Sequence, residues 1–427
     1  MNIIKEIKSE RVGDKYFEVK HSSGLKIFVY PKENNNSTYA VFGTKYGSID
    51  VCFKTSEESE PNTVPAGIAH YLEHKLFESE DGDAFARFAK TGASANAYTS
   101  FDKTCYLFSC AENIYESLEI LLDFVQSPYF TKQTVQKEQG IIGQEIKMYD
   151  DDPQWRVMFN LLQALYHNHP VRVDIAGSVE SIAKITPELL YKCYNTFYNL
   201  NNMVLCVAGN VDLTKVLDLC DKMLKTSTPI KLDRIFEKEP TEVVKSRVEQ
   251  KLSVSAPIFQ LGFKEPTSSR RLTGKEIAET DILLEILASD ASPLFRKLLD
   301  AQLINESSFS YEYFEGPGYA SIIFSGESKD PDAVADEIKK EITRVRENGI
   351  DPAAFERSKK AMYGRLISSL NSVDNIANAM AGLAFADQEL FEYIDLVAAA
   401  EINSVQARLK TELQLEYSAL SIVKPIK

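Results

Sequence analysis

The chain has 427 residues, of which 44% are hydrophobic and 26% charged, so it has a globular composition and is too long for one compact core. Its 62 acidic and 48 basic side chains give a net charge of −14, which argues against nucleic acid or an anionic membrane as the main partner. The charged start is unlike a secretory signal, and no stretch is apolar for long enough to cross a membrane. Six scattered cysteines without a C-x-x-C pair favour reduced thiols and a cytoplasmic location.

The first predicted elements along the chain are strands. Residues 16–31 are typical of two strands around a Ser-Ser-Gly turn, and His21 beside that turn is expected to lie on the surface. Residues 38–55 predict a pair of strands that is interrupted by a Tyr-Gly step. A polar loop then leads to Pro65, a residue suited to the first turn of a helix.

The helix predicted at residues 65–78 carries the most specific pattern in the chain. It contains His70, Glu73 and His74 in the order H-x-x-E-H, which is the signature of the inverted zincins. Histidines four residues apart lie on one helix face, and two neutral imidazoles there are a ready pair of ligands for zinc. Glu73 projects from nearly the same face, where it can take a proton from a metal-bound water instead of ligating the metal. Core or surface histidines without a metal are the alternative interpretation.

Residues 92–110 alternate small residues with β-forming residues. This pattern predicts a strand whose backbone can be closely approached. An edge strand near a metal can pair with an extended peptide by β-augmentation, whereas an ordinary interior strand is the alternative.

A further helix is predicted at residues 132–149. Glu138 and Glu145 are seven residues apart on one partly apolar face, where carboxylates are costly unless they are paired or bind a metal. Glu145 is therefore a candidate third ligand from a separate element. Gly140 and Gly143 each cost about 1 kcal/mol relative to alanine, which predicts close approach of another helix.

Two features that follow have structural rather than chemical interpretations. The acidic run that ends at Asp152 is expected to stop one helix and cap the next, with Pro153 as its first residue, rather than to bind a metal. His167 and His169 precede a proline and a turn, and loop structure is favoured for them over a place in the site.

Residues 226–248 are charged and without a clear period, which predicts an interdomain linker. The succession of strands and helices then begins again and indicates an internal duplication. We therefore predict an α+β fold of two homologous α/β-roll halves of roughly 200 residues, each an antiparallel-rich sheet packed with helices. The domains are residues 1–225 and 249–427. In the second half a helix at residues 279–302 replaces the one at 65–78, with apolar or small residues at its metal positions.

The H-x-x-E-H motif and the later E-x(6)-E pattern make the chain similar to the insulinase–pitrilysin (M16) family of zinc peptidases. The resemblance covers the whole chain, including its duplicated second half. It implies one zinc ion per chain, held by His70, His74 and Glu145. It also implies that Glu73 is the general base and that Glu138 supports the ligands.

The resemblance further implies that Asn96 and Ala97 lie on a substrate-binding edge strand and meet the substrate backbone. The chain has the size of the family's short subunits, which assemble two per chamber, and it resembles a bacterial subgroup that is encoded as paired proteins. It departs from the family at one place, because Leu299 and Glu306 stand where an arginine and a tyrosine hold substrate and oxyanion. We therefore expect a zinc-less M16 relative to supply those groups, which favours a heterodimer and leaves a homodimer as the alternative.

The sequence thus predicts a cytoplasmic zinc endopeptidase subunit that cleaves peptides or unfolded polypeptides held as an added strand in a closed chamber. The alternatives are a non-proteolytic scaffold or maturation factor that acts with a partner subunit, and a zinc hydrolase that acts on small esters or amides.

Overall fold

The computed structural model describes residues 2–80, 82–265 and 272–426. Within these ranges the strands are β1 (Ile3–Ser9), β2 (Asp14–Lys20), β3 (Lys26–Pro31), β4 (Thr38–Thr44), β5 (Cys52–Thr55), β6 (Asn62–Thr63), β7 (Glu78–Ser79), β8 (Gly82–Asp83), β9 (Ser94–Thr99), β10 (Thr104–Cys110), β11 (Met203–Gly209), β12 (Leu232–Arg234), β13 (Arg247–Leu252), β14 (Ile258–Lys264), β15 (Ser310–Gly316), β16 (Tyr319–Glu327) and β17 (Ser418–Pro425).

The α-helices in the same ranges are α1 (Ile68–Leu76), α2 (Ala84–Thr91), α3 (Ile114–Val125), α4 (Lys132–Asp151), α5 (Pro153–Leu165), α6 (Val179–Ile182), α7 (Pro187–Phe197), α8 (Leu213–Met223), α9 (Gly274–Ala288), α10 (Pro293–Asp300), α11 (Pro331–Asn348), α12 (Pro352–Ser369), α13 (Val373–Phe385), α14 (Leu390–Ala399) and α15 (Ile402–Thr411). Among the described residues, no helix combines the length and the apolar character that crossing a bilayer requires.

The chain forms two compact units, each assembled from three separate segments. The first consists of Met1–Gln144, Asp174–Ile235 and Ile367–Glu392, and the second of Glu145–Val173, Phe236–Leu366 and Tyr393–Lys427. One passage from the first unit to the second falls between Ile235 and Phe236, inside the predicted linker 226–248. The predicted domains 1–225 and 249–427 are each one continuous stretch of sequence, whereas each unit combines three stretches. The domain boundaries therefore stay a prediction, which concerns the repeat in the sequence.

Each unit is built around a mixed sheet. The sheet of the first unit has the strand order β1-β2-β3-β11-β4-β10-β9, and that of the second has the order β13-β17-β14-β16-β15. In both sheets one pair is parallel, β3 with β11 and β13 with β17. The strands that follow these pairs are antiparallel in both sheets. The five strands of the second sheet thus repeat the order and direction of five strands in the first, in agreement with the predicted duplication.

Each sheet is covered by a helix from the opposite half of the sequence. In the first unit α13 packs on β11 and β4, and in the second unit α5 packs on β17, β14 and β13. Helix α5 begins as predicted, because the Asp152 side chain accepts a hydrogen bond from the Trp155 N–H and Pro153 takes the first helical position. A strand such as β11 is buried along its whole length, which fits its continuous apolar sequence.

Three predicted elements differ from the structure. Strands β4 and β5 do not pair with each other, because β5 joins β6 and β12 in a separate small sheet. Residues 92–110 form the hairpin of β9 and β10 rather than one strand. The predicted helix at 279–302 is two helices, since Ser292 caps α10 and Pro293 cannot continue α9.

Two predictions about single residues were wrong. His21 is buried rather than on the surface, because its ring lies between Ser23 Oγ at 2.8 Å and Asp221 Oδ1 at 2.9 Å. In the described part of the chain, no atom outside the helix lies within 4 Å of a Cβ built at Gly140 or Gly143. Close approach of another helix therefore does not explain these two glycines.

Helix α1 is set into the first unit by two glycines that face each other. Gly67 caps the helix at a φ of 88°, and a Cβ built there would lie 2.3 Å from the carbonyl oxygen of Ala176. A Cβ at Gly177 would lie 2.5 Å from the carbonyl oxygen of Ala66. Ser181 Oγ donates a hydrogen bond of 2.8 Å to that same oxygen. This close backbone contact determines where α1 begins and therefore how its histidines are placed.

We expect Gly67→Ala to destabilise the protein by about 1–3 kcal/mol, because the Cβ combines a positive φ with a clash against a carbonyl oxygen. The matched control is Gly140→Ala in the exposed interior of α4, which should stabilise by about 0.5–1 kcal/mol. Urea or thermal unfolding monitored by circular dichroism measures both changes. Equal effects of the two substitutions would contradict the role of the Gly67 contact.

Candidate metal centre

The first turns of α1 are buried on nearly every side. The helix packs on β9, β10 and α7, and its largely apolar sequence explains why it enters the core. His70 and Glu73 enter with it and are only 7% and 9% exposed. The Tyr71 hydroxyl donates a hydrogen bond to the Val135 carbonyl and so joins α1 to the start of α4. The helix therefore brings polar site residues into a position that apolar neighbours determine.

His70, Glu73 and His74 form a cluster whose potential ligand atoms all lie within 4.8 Å of one another. The two imidazole rings meet edge to face, with their centroids 4.6 Å apart and their planes at 66°. Two imidazoles on one helix face are a ligand pair that catalytic zinc sites use, and a carboxylate beside them can serve a metal-bound water. The residues on this face of α1 thus fit a zinc ion.

Glu138 of α4 orients one of these rings. Its Oε1 lies 3.0 Å from His74 Nδ1, and both side chains are largely buried. Burial acts to raise the pKa of Glu138, but the hydrogen bond with His74 and the positive charges near the carboxylate, among them Lys75 and Lys137, hold that pKa below its ordinary value. A carboxylate on Nδ1 leaves Nε2 of the same ring for a metal, which is the usual support of a ligating histidine.

Glu73 has a partner that the sequence did not reveal. Its Oε2 accepts a hydrogen bond of 3.1 Å from the Thr99 hydroxyl at the end of β9. Near the same carboxylate, the hydroxyls of Tyr106 and Tyr198 are 2.8 Å apart. Burial, together with neighbouring groups that include Glu73, raises the pKa of both phenols well above their ordinary value, so both stay neutral.

Glu145 lies two turns beyond Glu138 on α4, as the sequence predicted. Its Oε1 accepts a hydrogen bond of 2.7 Å from the Tyr149 hydroxyl. The Tyr149 ring stacks on Trp155 at 4.4 Å, so the carboxylate is tied to α5 through two aromatic residues. Glu145 is not a member of the three-residue cluster on α1, and its role as a metal ligand stays a prediction.

The predicted edge strand is confirmed as an edge. Strand β9 ends the seven-stranded sheet and pairs on one side with β10. Asn96 is exposed on it, and its Oδ1 accepts a hydrogen bond of 2.8 Å from the Ala97 N–H. The Ala97 N–H, which now donates to the exposed Asn96 side chain, is a donor that the carbonyl of an incoming peptide can also use.

The two histidines after α5 belong to a loop of the second unit. The buried His169 ring contacts the Pro317 carbonyl oxygen at 2.9 Å, and burial lowers its pKa to about 4. The backbone N–H of His167 donates to Glu239 Oε1. Neither is a member of the cluster on α1, so loop structure accounts for both.

Comparisons with known proteins identify the family that this chain resembles. The family model described as "Insulinase (Peptidase family M16)" matches residues 44–178, and the one described as "Peptidase M16 inactive domain" matches residues 184–362. The "Uncharacterized zinc protease YmfH" of Bacillus subtilis (strain 168) is 40% identical over 99% of this chain and 100% of its own. The "Zinc protease PqqE" of Helicobacter pylori is 25% identical over 86% of this chain and 83% of its own.

The fold is also found among solved structures. A crystal structure of an M16-like peptidase from Alicyclobacillus acidocaldarius matches with a TM-score of 0.91 and 34% identity, over 99% of this chain and 98% of that one. Pitrilysin matches with a TM-score of 0.75 at 16% identity, over 99% of this chain and 46% of that one, a likeness of fold alone.

We expect Glu138→Gln to weaken zinc binding by about 10- to 100-fold, because the amide no longer offers a negative charge to the Nδ1–H of His74. Competition with a chromophoric chelator measures the affinity. Asp151→Asn, at the exposed end of the same helix, is the matched control and should bind zinc as the unmodified chain does. Equal affinities of the two variants would exclude the support that we assign to Glu138.

Proposed function

The chain belongs to the M16 family of peptidases, and from this premise we propose that it is a zinc-dependent endopeptidase subunit that hydrolyses peptides or unfolded polypeptides. The observation that carries the proposal is the buried cluster of His70, Glu73 and His74 beside an open sheet edge. A metal-ligand pair, a nearby carboxylate and a strand with one open edge together meet the needs of peptide hydrolysis.

In this proposal His70 and His74 hold the zinc ion with Glu145 as the third ligand, one ion per chain. When bound, zinc polarises the scissile carbonyl and lowers the pKa of a coordinated water. Glu73 accepts the proton of the attacking water and returns it to the leaving amine. Glu138 keeps the His74 ring in one orientation throughout.

The substrate is proposed to add to β9 as a further strand within a closed chamber. Asn96 and Ala97 would meet its backbone, which supplies affinity through main-chain hydrogen bonds without demanding a particular sequence. Such binding requires an extended peptide, so folded proteins are excluded until they unfold. We also propose a cytoplasmic setting, which the free thiols of all six cysteines support.

A partner chain is proposed because the second unit lacks a group for the oxyanion at the two expected positions. Leu299 packs against the core of that unit, and Glu306 is exposed and acidic. Neither offers the positive charge that stabilises a developing oxyanion. A zinc-less M16 relative that supplies an arginine and a tyrosine would complete the site, which favours a heterodimer over a homodimer.

We expect Glu73→Gln to retain about one zinc per chain while kcat for a peptide falls by about 10²–10⁴-fold, since the amide cannot accept a proton. Metal analysis and a quenched-fluorescence peptide assay measure the two quantities. The control is Glu80→Gln, the same substitution at an exposed position shortly after α1. Retained peptide hydrolysis in Glu73→Gln would refute the role of Glu73. If the unmodified chain cleaves no peptide even with its partner, the non-proteolytic scaffold becomes the better interpretation.

The purified chain should bind zinc yet cleave a peptide library poorly by itself, and adding a zinc-less M16 chain should raise kcat by about 10²-fold or more. Size-exclusion chromatography with light scattering gives the mass of the active species. Strong cleavage by a homodimer of this chain would show that the partner is not needed and that Leu299 and Glu306 are compatible with a complete site.

A further inference from the structure

Two hydroxyl groups lie between Glu73 and the backbone at the base of the β9–β10 hairpin. Thr99 Oγ1 lies 3.1 Å from Glu73 Oε2 and 3.4 Å from Thr104 Oγ1. The Thr104 hydroxyl in turn donates a hydrogen bond of 2.8 Å to the Tyr46 carbonyl oxygen. Thr99 and Thr104 face each other directly in the register of the hairpin. Thr99 thereby links a carboxylate on α1 to strand β9, which carries no metal ligand.

The base of the β9–β10 hairpin, where Thr104 lies, is held rigidly. Thr104 and Tyr46 are completely buried. The hairpin turn is tied to the segment after Tyr46 by two backbone hydrogen bonds of 3.0 Å, from Ser48 N–H to the Ser100 carbonyl and from Ile49 N–H to the Phe101 carbonyl.

Gly47 makes this contact possible. A Cβ built at Gly47 would lie 2.3 Å from the Phe101 carbonyl oxygen, so the two backbones approach more closely than any side chain allows. The Thr99 hydroxyl is therefore presented from a fixed frame and not from a mobile strand end.

Counting protons gives the direction of the hydrogen bonds to Glu73 and to the Tyr46 carbonyl. A hydroxyl carries one proton, and that of Thr104 goes to a carbonyl oxygen, which can only accept. Thr104 therefore cannot donate to Thr99, so their 3.4 Å approach is a contact between two oxygens, and the single proton of Thr99 is available for the carboxylate of Glu73. A carboxylate only accepts, so the bond runs from Thr99 to Glu73. A hydrogen bond to an ionised acceptor is stronger than one between neutral groups, and at 3.1 Å it restrains the rotation of the carboxylate.

We propose that Thr99 is a positioning residue for the proposed peptide hydrolysis, acting by holding one oxygen of Glu73 so that the other faces the reacting water. The proposal rests on the proposed function of Glu73 as the general base. Thr99 touches neither a metal ligand nor the reacting atoms in this role, and it acts through Glu73 alone. Because the hydrogen bond fixes orientation, its loss should lower kcat more than it alters substrate binding.

The competing role for Thr99 is direct substrate binding, because it lies on the same strand as Asn96 and Ala97. The two roles differ in what they change. A residue that binds substrate alters the affinity for peptide, whereas a residue that orients Glu73 alters turnover at saturating peptide. They also differ in chemistry, because a serine restores the hydroxyl for Glu73 but not the methyl group that would line a substrate pocket.

The test compares Thr99→Val, which keeps the shape but removes the hydroxyl, with Thr99→Ser, which keeps the hydroxyl. Each is assayed with its partner chain on a quenched peptide. We expect Thr99→Val to lower kcat by about 10- to 100-fold with little change in KM, and Thr99→Ser to recover most of the loss. Thr63→Val, the same exchange on the short strand β6, is the matched control and should leave kcat unchanged.

A second readout does not depend on turnover. A labelled peptide is titrated by fluorescence anisotropy into Glu73→Gln protein with and without Thr99→Val, since neither protein cleaves it. The two dissociation constants should agree within about twofold, and zinc should remain near one per chain.

Two results would overturn the proposal. One is unchanged kcat in Thr99→Val, and the other is a loss that appears in the peptide dissociation constant and is not recovered by Thr99→Ser. Failure of the proposed function looks different, because the unmodified chain with its partner would then cleave no peptide at all and both proposals would fall together.

Discussion

The site depends on burying ionisable side chains on one short helix. Helix α1 has nine residues, and its interior faces carry two imidazoles and a carboxylate among apolar neighbours. Removing such groups from water costs several kcal/mol unless each of them gains a partner. His74 gains Glu138 from α4, and Glu73 gains Thr99 from β9. These partners come from different elements, so the chemistry of α1 is available only when the first unit is fully packed.

The second unit has the same architecture without histidines on the corresponding helix. Its helix α9 packs against the edge strand β15, as α1 packs against β9. Asp281 and Glu285, one turn apart on α9, accept hydrogen bonds of 2.5 Å from Tyr393 and 2.6 Å from Tyr311. Burial raises the pKa of Asp281 to about 6. These carboxylates join α9 to helix α14 and to strand β15. The second unit thus has the same sheet as the first, but its helix α9 has a structural role.

The H-x-x-E-H cluster could be predicted from the sequence because it depends only on helix geometry. Residues three and four apart must share a face, whatever surrounds them. The Asp152 cap and the repeated order of strands and helices are likewise local signals. Contacts between distant segments leave no such signal, and so the Thr99 hydrogen bond, the meeting of Gly67 with Gly177 and the burial of His21 against Asp221 were not found.

Each sheet is covered by a helix from the opposite half of the sequence, α13 in the first unit and α5 in the second, and this has a consequence for biosynthesis. The chain emerges from the ribosome in order, and β11 of the first sheet leaves well before α13, the helix that covers it. At elongation rates of about 5–20 residues per second, that gap lasts on the order of ten seconds or more. During this interval an apolar strand face has no native cover, and such faces attract chaperones or other chains. The nascent first half is therefore the stage at which this protein is most exposed to aggregation.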